Sequence, residues 1–191
     1  LLGREAGCEA EISEITYQAM RGNLDFERSL RERVALLKGL PVSVFDTVFK
    51  SIHLSKNAQE FISILQKNDI LVGLVSGGFA PIVERLAKYL GISYFYANEL
   101  EVKDGFLTGQ LVGEIVTAQV KKATLEKWRM ELEIPRERTI AIGDGANDLL
   151  MLKSAGISIA FCAKEIVKVE IACHVDTRDL LEVLPLIDFL E

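Results

Sequence analysis

The sequence predicts an α/β protein in which a parallel sheet is preceded by a helical module. Residues 1 to about 52 place apolar residues three and four apart and show no strand-like alternation. From about residue 57, short apolar runs alternate with helical segments, which is typical of a parallel sheet with right-handed crossovers. The chain has 191 residues, 49% of them hydrophobic and 26% charged, which is the composition of an ordinary globular protein.

The helical module is amphipathic and is interrupted by helix-breaking residues. Its apolar positions follow a helical period and are Ile12, Ile15, Ala19, Leu30, Val34 and Leu37. Gly22-Asn23 and Gly39-Leu40-Pro41 divide the module into several helices. We therefore assign residues 1–54 to a small helical cap and residues 55–191 to an α/β core.

The core alternates helices with short strands. The predicted elements are, in chain order, a helix at 58–67, a strand at 70–75, a helix at 81–90, a strand at 94–97, a helix at 123–131, a strand at 139–142, a helix at 148–155, a strand at 157–161 and a helix at 180–190 that contains or is divided by Pro185. Asp104-Gly105 suits a type I′ turn, which predicts a hairpin near residues 99–110.

Composition excludes several classes of protein. The net charge of −6 argues against a nucleic-acid partner, because phosphate contacts need a surplus of cations. No apolar stretch reaches the ~18 residues that span a bilayer, and the N-terminus lacks the pattern of a signal peptide. The three cysteines form no Cys-x-x-Cys pair, so neither a disulfide framework nor a zinc site is indicated. We expect a cytoplasmic protein without a membrane partner.

An acidic turn follows the predicted strand at 139–142. It reads Gly143-Asp144-Gly145-Ala146-Asn147-Asp148, at the carboxyl end of a strand, where open α/β sheets bind ligands. Carboxylate oxygens at such a turn suit a hard cation such as Mg²⁺. A helix N-cap at Asp144 or Asn147 is the simpler interpretation, but a cap needs fewer polar groups. A dinucleotide fingerprint is not matched, because position 148 is Asp rather than Gly or Ala.

A second turn, Ser76-Gly77-Gly78, also follows a predicted strand and precedes a helix. A hydroxyl and backbone N–H groups at a helix N-terminus form an anion site, although a Ser-Gly-Gly turn also fits a purely structural role. No Gly-Lys-Ser/Thr is present, so a nucleotide P-loop is not indicated. Lys121 or Lys122 could neutralise phosphate, or both could be solvated surface lysines.

Two further features of the sequence give little information about function on their own. The segment 26–33 is on its own a charged, solvated helix face. His53 and His174 stand beside no serine or cysteine in a nucleophile-like context, so a catalytic triad is not predicted.

Taken together, the motifs resemble one family over essentially the whole chain. Ser-Gly-Gly, a later lysine and Gly-Asp-Gly-Ala-Asn-Asp follow one another as in the haloacid dehalogenase superfamily, which implies a Rossmann-like parallel sheet. Within it, several segments resemble the phosphoserine phosphatases: Ala19–Phe26, Ser29–Val34, Val75–Phe79, Ala97–Leu100, Lys103–Gly105, Leu107–Gly109 and Ile159–Lys164. The resemblance implies hydrolysis of O-phosphoserine to serine and phosphate through an aspartyl-phosphate, with Mg²⁺ as cofactor.

The resemblance also implies which residues bind phosphate. Ser76 and the backbone of Gly77 would be phosphate ligands. Lys121, rather than Lys122, would be the phosphate-binding lysine. Asn147 would contact both substrate and phosphate.

Metal and cap residues are assigned in the same way. Asp144 would be the Mg²⁺ ligand, and Asp148 would orient the lysine and the metal-bound waters. Arg33 would pair with the substrate carboxylate, for which a planar guanidinium is well suited. Met20 and Phe26 would close over the substrate.

One departure from the family pattern concerns the nucleophile. The family opens with a strand ending in Asp-x-Asp-x-Thr/Ser, whose first Asp attacks phosphorus and whose second is the acid/base. This motif occurs nowhere in the sequence. We expect the first core strand and both aspartates to precede Leu1, and the chain as written not to turn over. Another phosphatase or phosphotransferase of the superfamily, or a non-catalytic module that binds a phosphorylated metabolite, stays an alternative.

Overall fold

The computed structural model describes residues 1–21 and 24–187, apart from the side chain of Met20. The helices are α1 (Leu2–Glu5), α2 (Glu9–Met20), α3 (Phe26–Ala35), α4 (Val44–Lys50), α5 (Ala58–Lys67), α6 (Ala80–Leu90), α7 (Ala118–Glu131), α8 (Leu149–Ser154) and α9 (Glu165–Lys168). The strands are β1 (Gly73–Phe79), β2 (Tyr94–Lys103), β3 (Phe106–Val112), β4 (Ile140–Gly143), β5 (Ile157–Phe161) and β6 (His174–Val175). Short 3-10 helices cover Arg136–Arg138, Ala146–Asp148 and Leu180–Leu186.

The strands form two three-stranded sheets, in the orders β1-β2-β3 and β4-β5-β6. β4 and β5 run parallel, with Ile140 opposite Ile157, and β5 and β6 are also parallel. β2 and β3 form an antiparallel hairpin. Within the described residues, β1 and β4 are each the terminal strand of a sheet. The α/β class with parallel strands is confirmed.

The chain divides into two compact units. The first comprises Leu1–His53, Ser76–Leu86 and Tyr96–Ile115, and the second comprises Leu54–Val75, Ala87–Phe95 and Val116–Glu191. One boundary falls next to the junction between cap and core that the sequence predicts, while the hairpin belongs to the first unit. The division into a cap at 1–54 and a core at 55–191 stays a prediction.

In the first unit, α3 packs its apolar face against α4 and the hairpin. Leu30 and Val34 are buried together with Phe45 and Leu107. The N–H of Gly39 donates to the carbonyl of Leu107, which ties the helical segment to β3. The hairpin turns at Asp104 (φ 53°) and Gly105 (φ 82°), two positive φ angles as a type I′ turn requires.

In the second unit, two apolar clusters pack against the parallel sheet. One contains residues of α5, β5 and the last 3-10 helix, including Phe61, Ile159 and Val183. The other contains residues of α8 and α9, including Leu152 and Val167. Ala141 of β4 belongs to the second cluster, so the strand that leads into the acidic turn is anchored in the core.

The predicted strand at 70–75 is displaced along the chain. Asp69 adopts a positive φ of 57° and the N–H of Ile70 bonds to Leu65, so these residues terminate α5 instead of starting a strand. β1 therefore begins at Gly73 and continues to Phe79. As a result, Ser76 lies within the strand and not in a turn that follows it.

Two helices also differ from their predicted bounds. The helix predicted at 123–131 begins at Ala118, because the Thr117 side chain accepts a hydrogen bond from the Val120 N–H and caps it. The helix predicted at 180–190 is a 3-10 helix over Leu180–Leu186 that contains Pro185, and residues 188–190 lie outside the described residues. The predicted break at Gly22-Asn23 also lies outside them. No helix in the described ranges is long and apolar enough to cross a membrane.

Candidate active site

The acidic turn after β4 folds around the carboxylate of Asp148. Asp148 Oδ2 accepts hydrogen bonds from the backbone N–H of Asp144 at 3.1 Å and from that of Gly145 at 3.0 Å. Gly143 permits this close approach, since a Cβ there would lie 2.5 Å from the Cβ of Asp148. The glycine and the two N–H groups therefore fix the direction in which the carboxylate points.

The other oxygen of Asp148 binds a buried lysine. Lys121 lies on the inner face of α7 and is only 7% exposed. Its Nζ is 2.6 Å from Asp148 Oδ1. A lysine in this environment needs a partner because a buried, unpaired charge is strongly destabilising. Asp148 thus holds one ammonium group in place at the end of β4.

Lys121 and its neighbour in sequence differ in environment. Lys122 is exposed, whereas Lys121 is buried against Asp148. The structure therefore distinguishes the two lysines by burial and pairing, whereas the sequence distinguishes them only through the resemblance to the family motifs. This placement supports Lys121 as the residue with a site role.

Asp144 presents a free carboxylate at the same turn. Its side chain is exposed and, among the residues described, makes no hydrogen bond or ion pair. Its backbone carbonyl accepts the N–H of Lys164 at 3.0 Å, which anchors the main chain. An anchored, free carboxylate fits a hard divalent cation. Over the same described ranges no group of three or more His, Cys, Asp or Glu side chains that could hold a metal ion occurs.

Asn147 lies in the 3-10 helix between the two aspartates of the turn and is partly buried. Its Oδ1 would be 2.5 Å from a Cβ at Gly145, so that glycine leaves room for the amide. Lys121, Asp144, Asn147 and Asp148 are thus grouped in the second unit. Together they offer a cation, a free carboxylate and an amide, which suits a phosphate held with a metal ion.

Ser76 and Gly77 belong to the first unit and lie near the end of β1. The N–H of Gly78 donates to Ser76 Oγ at 3.0 Å, which orients the hydroxyl. The side-chain amide of Asn98 donates to the carbonyl of Gly77 at 2.9 Å, and Asn98 is 1% exposed. Asn98 thus holds the Gly77 carbonyl in place, a contact that sequence reasoning missed although a lone amide in the apolar run that begins β2 was a signal.

The arginines of α3 differ in their partners. Arg28 and Arg31 are exposed and each is paired with a glutamate one turn away. Arg33 is partly buried, and its Nε donates to the backbone carbonyl of Ser29 at 3.2 Å. No carboxylate in the described part of the chain pairs with it. Burial lowers the pKa of Arg33 from its ordinary value, because a desolvated guanidinium is less stable as a cation. A partly buried guanidinium without an ionic partner is suited to binding an anion.

Phe26 is the first residue of α3 and is 41% exposed. The preceding Asp25 caps the helix by accepting the N–H of Arg28 at 2.9 Å, so the position of the ring relative to α3 is set by the cap. An exposed aromatic residue at this place is available to a ligand. The prediction for the Met20 side chain lies outside the described residues.

Comparison with known proteins gives consistent matches. The family model described as haloacid dehalogenase-like hydrolase matches residues 2–153. The phosphoserine phosphatase of Streptococcus thermophilus is 54% identical over 188 residues, which cover 98% of this chain and 87% of that protein. The phosphoserine phosphatase of Lactococcus lactis is 50% identical over 190 residues and is covered to 88%.

A solved structure described as a substrate-bound phosphoserine phosphatase complex superposes with a TM-score of 0.91 at 45% identity, covering 98% of this chain and 89% of that one. A second, described as a phospho-aspartyl intermediate analogue of phosphoserine phosphatase, gives 0.90 at 45% identity, with 98% and 90% covered.

Proposed function

The chain belongs to the haloacid dehalogenase-like hydrolase family, and we propose that it serves as a phosphoserine phosphatase, which hydrolyses O-phosphoserine to serine and phosphate. The observation that carries the proposal is that Asp148, in the same turn as the free carboxylate of Asp144, pairs with the buried Lys121 of α7. A cation that binds phosphate and an oxygen ligand for a metal ion are two of the groups that stabilise charge in phosphate-ester hydrolysis. The identity of 54% and 50% to two named phosphoserine phosphatases supports the choice of substrate.

The cofactor that we propose is Mg²⁺, with Asp144 as a ligand. Mg²⁺ is usually held by one or two carboxylates together with phosphate oxygens and water, so a single free carboxylate at the turn is compatible with it. When bound, the ion would neutralise charge on the phosphate. Asp148 has both oxygens engaged, by Lys121 and by two backbone N–H groups, so its role is to position those groups.

The remaining site residues divide by the part of the substrate that they would bind. For the phosphate we propose the ammonium of Lys121, the hydroxyl of Ser76, the N–H of Gly77 and the amide of Asn147. All four can donate hydrogen bonds to phosphate oxygens.

For the amino-acid part, we propose that Arg33 binds the substrate carboxylate and that Phe26 and Met20 cover it. Arg33 is supported by its partial burial and by its freedom from any carboxylate in the described chain. A guanidinium presents two parallel N–H groups that match a carboxylate.

The residues assigned above do not include a nucleophile. The Asp-x-Asp-x-Thr/Ser motif of the family occurs nowhere in the 191 residues, so the roles proposed here are binding and positioning rather than attack on phosphorus. The second candidate function is that of a non-catalytic module that binds a phosphorylated metabolite. We further propose a cytoplasmic location, where hydrolysis of O-phosphoserine would complete serine biosynthesis.

The test is phosphate release from O-phospho-L-serine by the complete protein, with Mg²⁺ and after chelation. Turnover that requires Mg²⁺ and falls at least about a hundredfold in Asp144→Asn supports the phosphatase. The matched control is Asp104→Asn, an exchange of the same kind in the hairpin turn, where asparagine also tolerates positive φ. Binding of O-phosphoserine in calorimetry without any phosphate release would favour the second candidate.

A further inference from the structure

Ser29 carries a buried hydroxyl with no hydrogen-bond partner in the described residues. It lies in the first half of α3, is 1% exposed, and is followed by the buried Leu30. A buried polar group without a partner destabilises the state in which it is found. Alanine would avoid this cost and would leave only a gap of one oxygen atom. A serine here is therefore explained best by a partner that it gains in another state of the protein.

Helix geometry makes Arg33 a candidate partner, because it lies one helical turn further along α3. Residues four apart lie on the same face of a helix, and Arg33 Nε already donates to the backbone carbonyl of Ser29 at 3.2 Å. The guanidinium is thus folded back over the turn that carries the Ser29 hydroxyl. It has five N–H donors, of which this bond uses one.

The contacts of Arg33 explain why such a partner matters. Arg28 and Arg31 on the same helix are held by carboxylates, whereas Arg33 is held by a single bond to a carbonyl. A guanidinium that turns two N–H groups toward a carboxylate needs an acceptor behind it to keep its orientation. The hydroxyl of Ser29 is an acceptor on the correct face, and it is shielded from competing water.

We propose that Ser29 is a positioning residue for Arg33, and that its hydroxyl accepts a guanidinium N–H when Arg33 engages the substrate carboxylate. The inference rests on the proposed function, because it takes the carboxylate of O-phosphoserine as the group that Arg33 binds. It predicts that the Ser29 hydroxyl affects binding of carboxylate-bearing substrates only. It also predicts that this hydroxyl adds nothing to the stability of the unliganded protein.

The experiment compares wild type with Ser29→Ala in the complete protein. For O-phospho-L-serine, KM is expected to rise about threefold to tenfold, the effect of one hydrogen bond, while kcat stays within about twofold. For O-phosphoethanolamine, which has the amine but no carboxylate, KM should not change. The Tm of the unliganded variant should equal or exceed that of wild type. Ser29→Thr retains the hydroxyl and should keep KM near the wild-type value.

The control is Ser154→Ala, which removes a partly buried hydroxyl that does have a partner, the carbonyl of Met151 at 2.8 Å. It should lower Tm and leave both KM values unchanged. Unchanged KM in Ser29→Ala, or equal losses on both substrates, would overturn the inference while the wild-type activity stands. A wild-type protein that fails to hydrolyse O-phospho-L-serine would overturn the proposed function and this inference with it.

Discussion

Replacing Asp148 by asparagine tests whether one buried carboxylate organises both the acidic turn and the lysine. Oδ1 of Asp148 faces the ammonium of Lys121, and Oδ2 faces the N–H groups of Asp144 and Gly145. Both sides of the carboxylate therefore meet hydrogen-bond donors. Asparagine has one accepting oxygen and one donating NH₂ group, so either orientation sets donor against donor on one side. It also removes the charge that compensates Lys121.

The cost follows from the burial of the pair. Removing one partner of a buried ion pair destabilises a protein by roughly 3–5 kcal/mol, because the other charge is left uncompensated. At about 2–4 °C per kcal/mol for a chain of this size, Asp148→Asn should lower Tm by about 6–20 °C. Differential scanning calorimetry and urea unfolding at neutral pH measure this loss directly.

A double-mutant cycle separates the pair from other effects of the substitution. Lys121→Met removes the charge that Asp148 compensates, and the double variant Lys121→Met/Asp148→Asn should lose less stability than the sum of the single variants. The exposed pair of Lys127 and Glu131 on the same helix provides a control, since Glu131→Gln should leave Tm close to wild type. A Tm for Asp148→Asn within 2–3 °C of wild type, about 1 kcal/mol, would refute the reasoning. Additive losses in the cycle would also refute it.

Three further predictions concern other parts of the molecule. Arg33→Ala should weaken binding of O-phosphoserine by about 1.5–3 kcal/mol, the scale of hydrogen bonds to charged groups, and spare a carboxylate-free phosphomonoester; equal losses on both substrates in steady-state kinetics would contradict the assignment. Gly143→Ala should cost about 1–3 kcal/mol in a thermal melt, because the added methyl would overlap Asp148, and an unchanged melt would mean that the turn relaxes freely. The hydrogen bond from Lys56 lowers the pKa of Asp179 below its ordinary value of 3.8. The ionised carboxylate therefore stabilises the fold at pH values above 3.8, and this stabilisation is lost as the pH falls through the lowered pKa of the folded state. Asp179→Asn should therefore be less stable than wild type at neutral pH, with a gap that narrows below about pH 3.8 in acid unfolding curves.

The sequence predicted best those elements whose signals are local. The helix at 58–67 and the strand at 157–161 match α5 and β5, because each is a regular apolar pattern between clear breakers. The hairpin turn was also predictable, since Asp104-Gly105 favours positive φ at both positions. In these places the chain's own preferences and its tertiary contacts agree.

Long-range contacts explain where prediction from sequence failed. The start of α7 was missed because its inner face there includes Lys121, which the periodicity of apolar residues counts as polar. Lys121 can be buried only because Asp148 lies beside it, 27 residues further along the chain. In the same way, Ile70 was assigned to a strand because it begins an apolar run. The hydrogen bond from its N–H to the carbonyl of Leu65, which places it at the end of α5, cannot be recognised from the sequence.

The candidate site shows the same limit more sharply, because motifs identify residue types but not the state of each group. Lys121 and Arg33 are both cations in candidate positions, and only the structure shows that the first is already paired with a carboxylate while the second is not. A paired ammonium is held in its final position and changes its solvation little when phosphate arrives. The partly buried guanidinium of Arg33 would instead gain its first ionic partner if it binds the substrate carboxylate as proposed, so a ligand's carboxylate would add more to affinity there. We infer that Lys121 contributes orientation common to any phosphate ester, and that discrimination among esters depends on Arg33 and the residues that steady it.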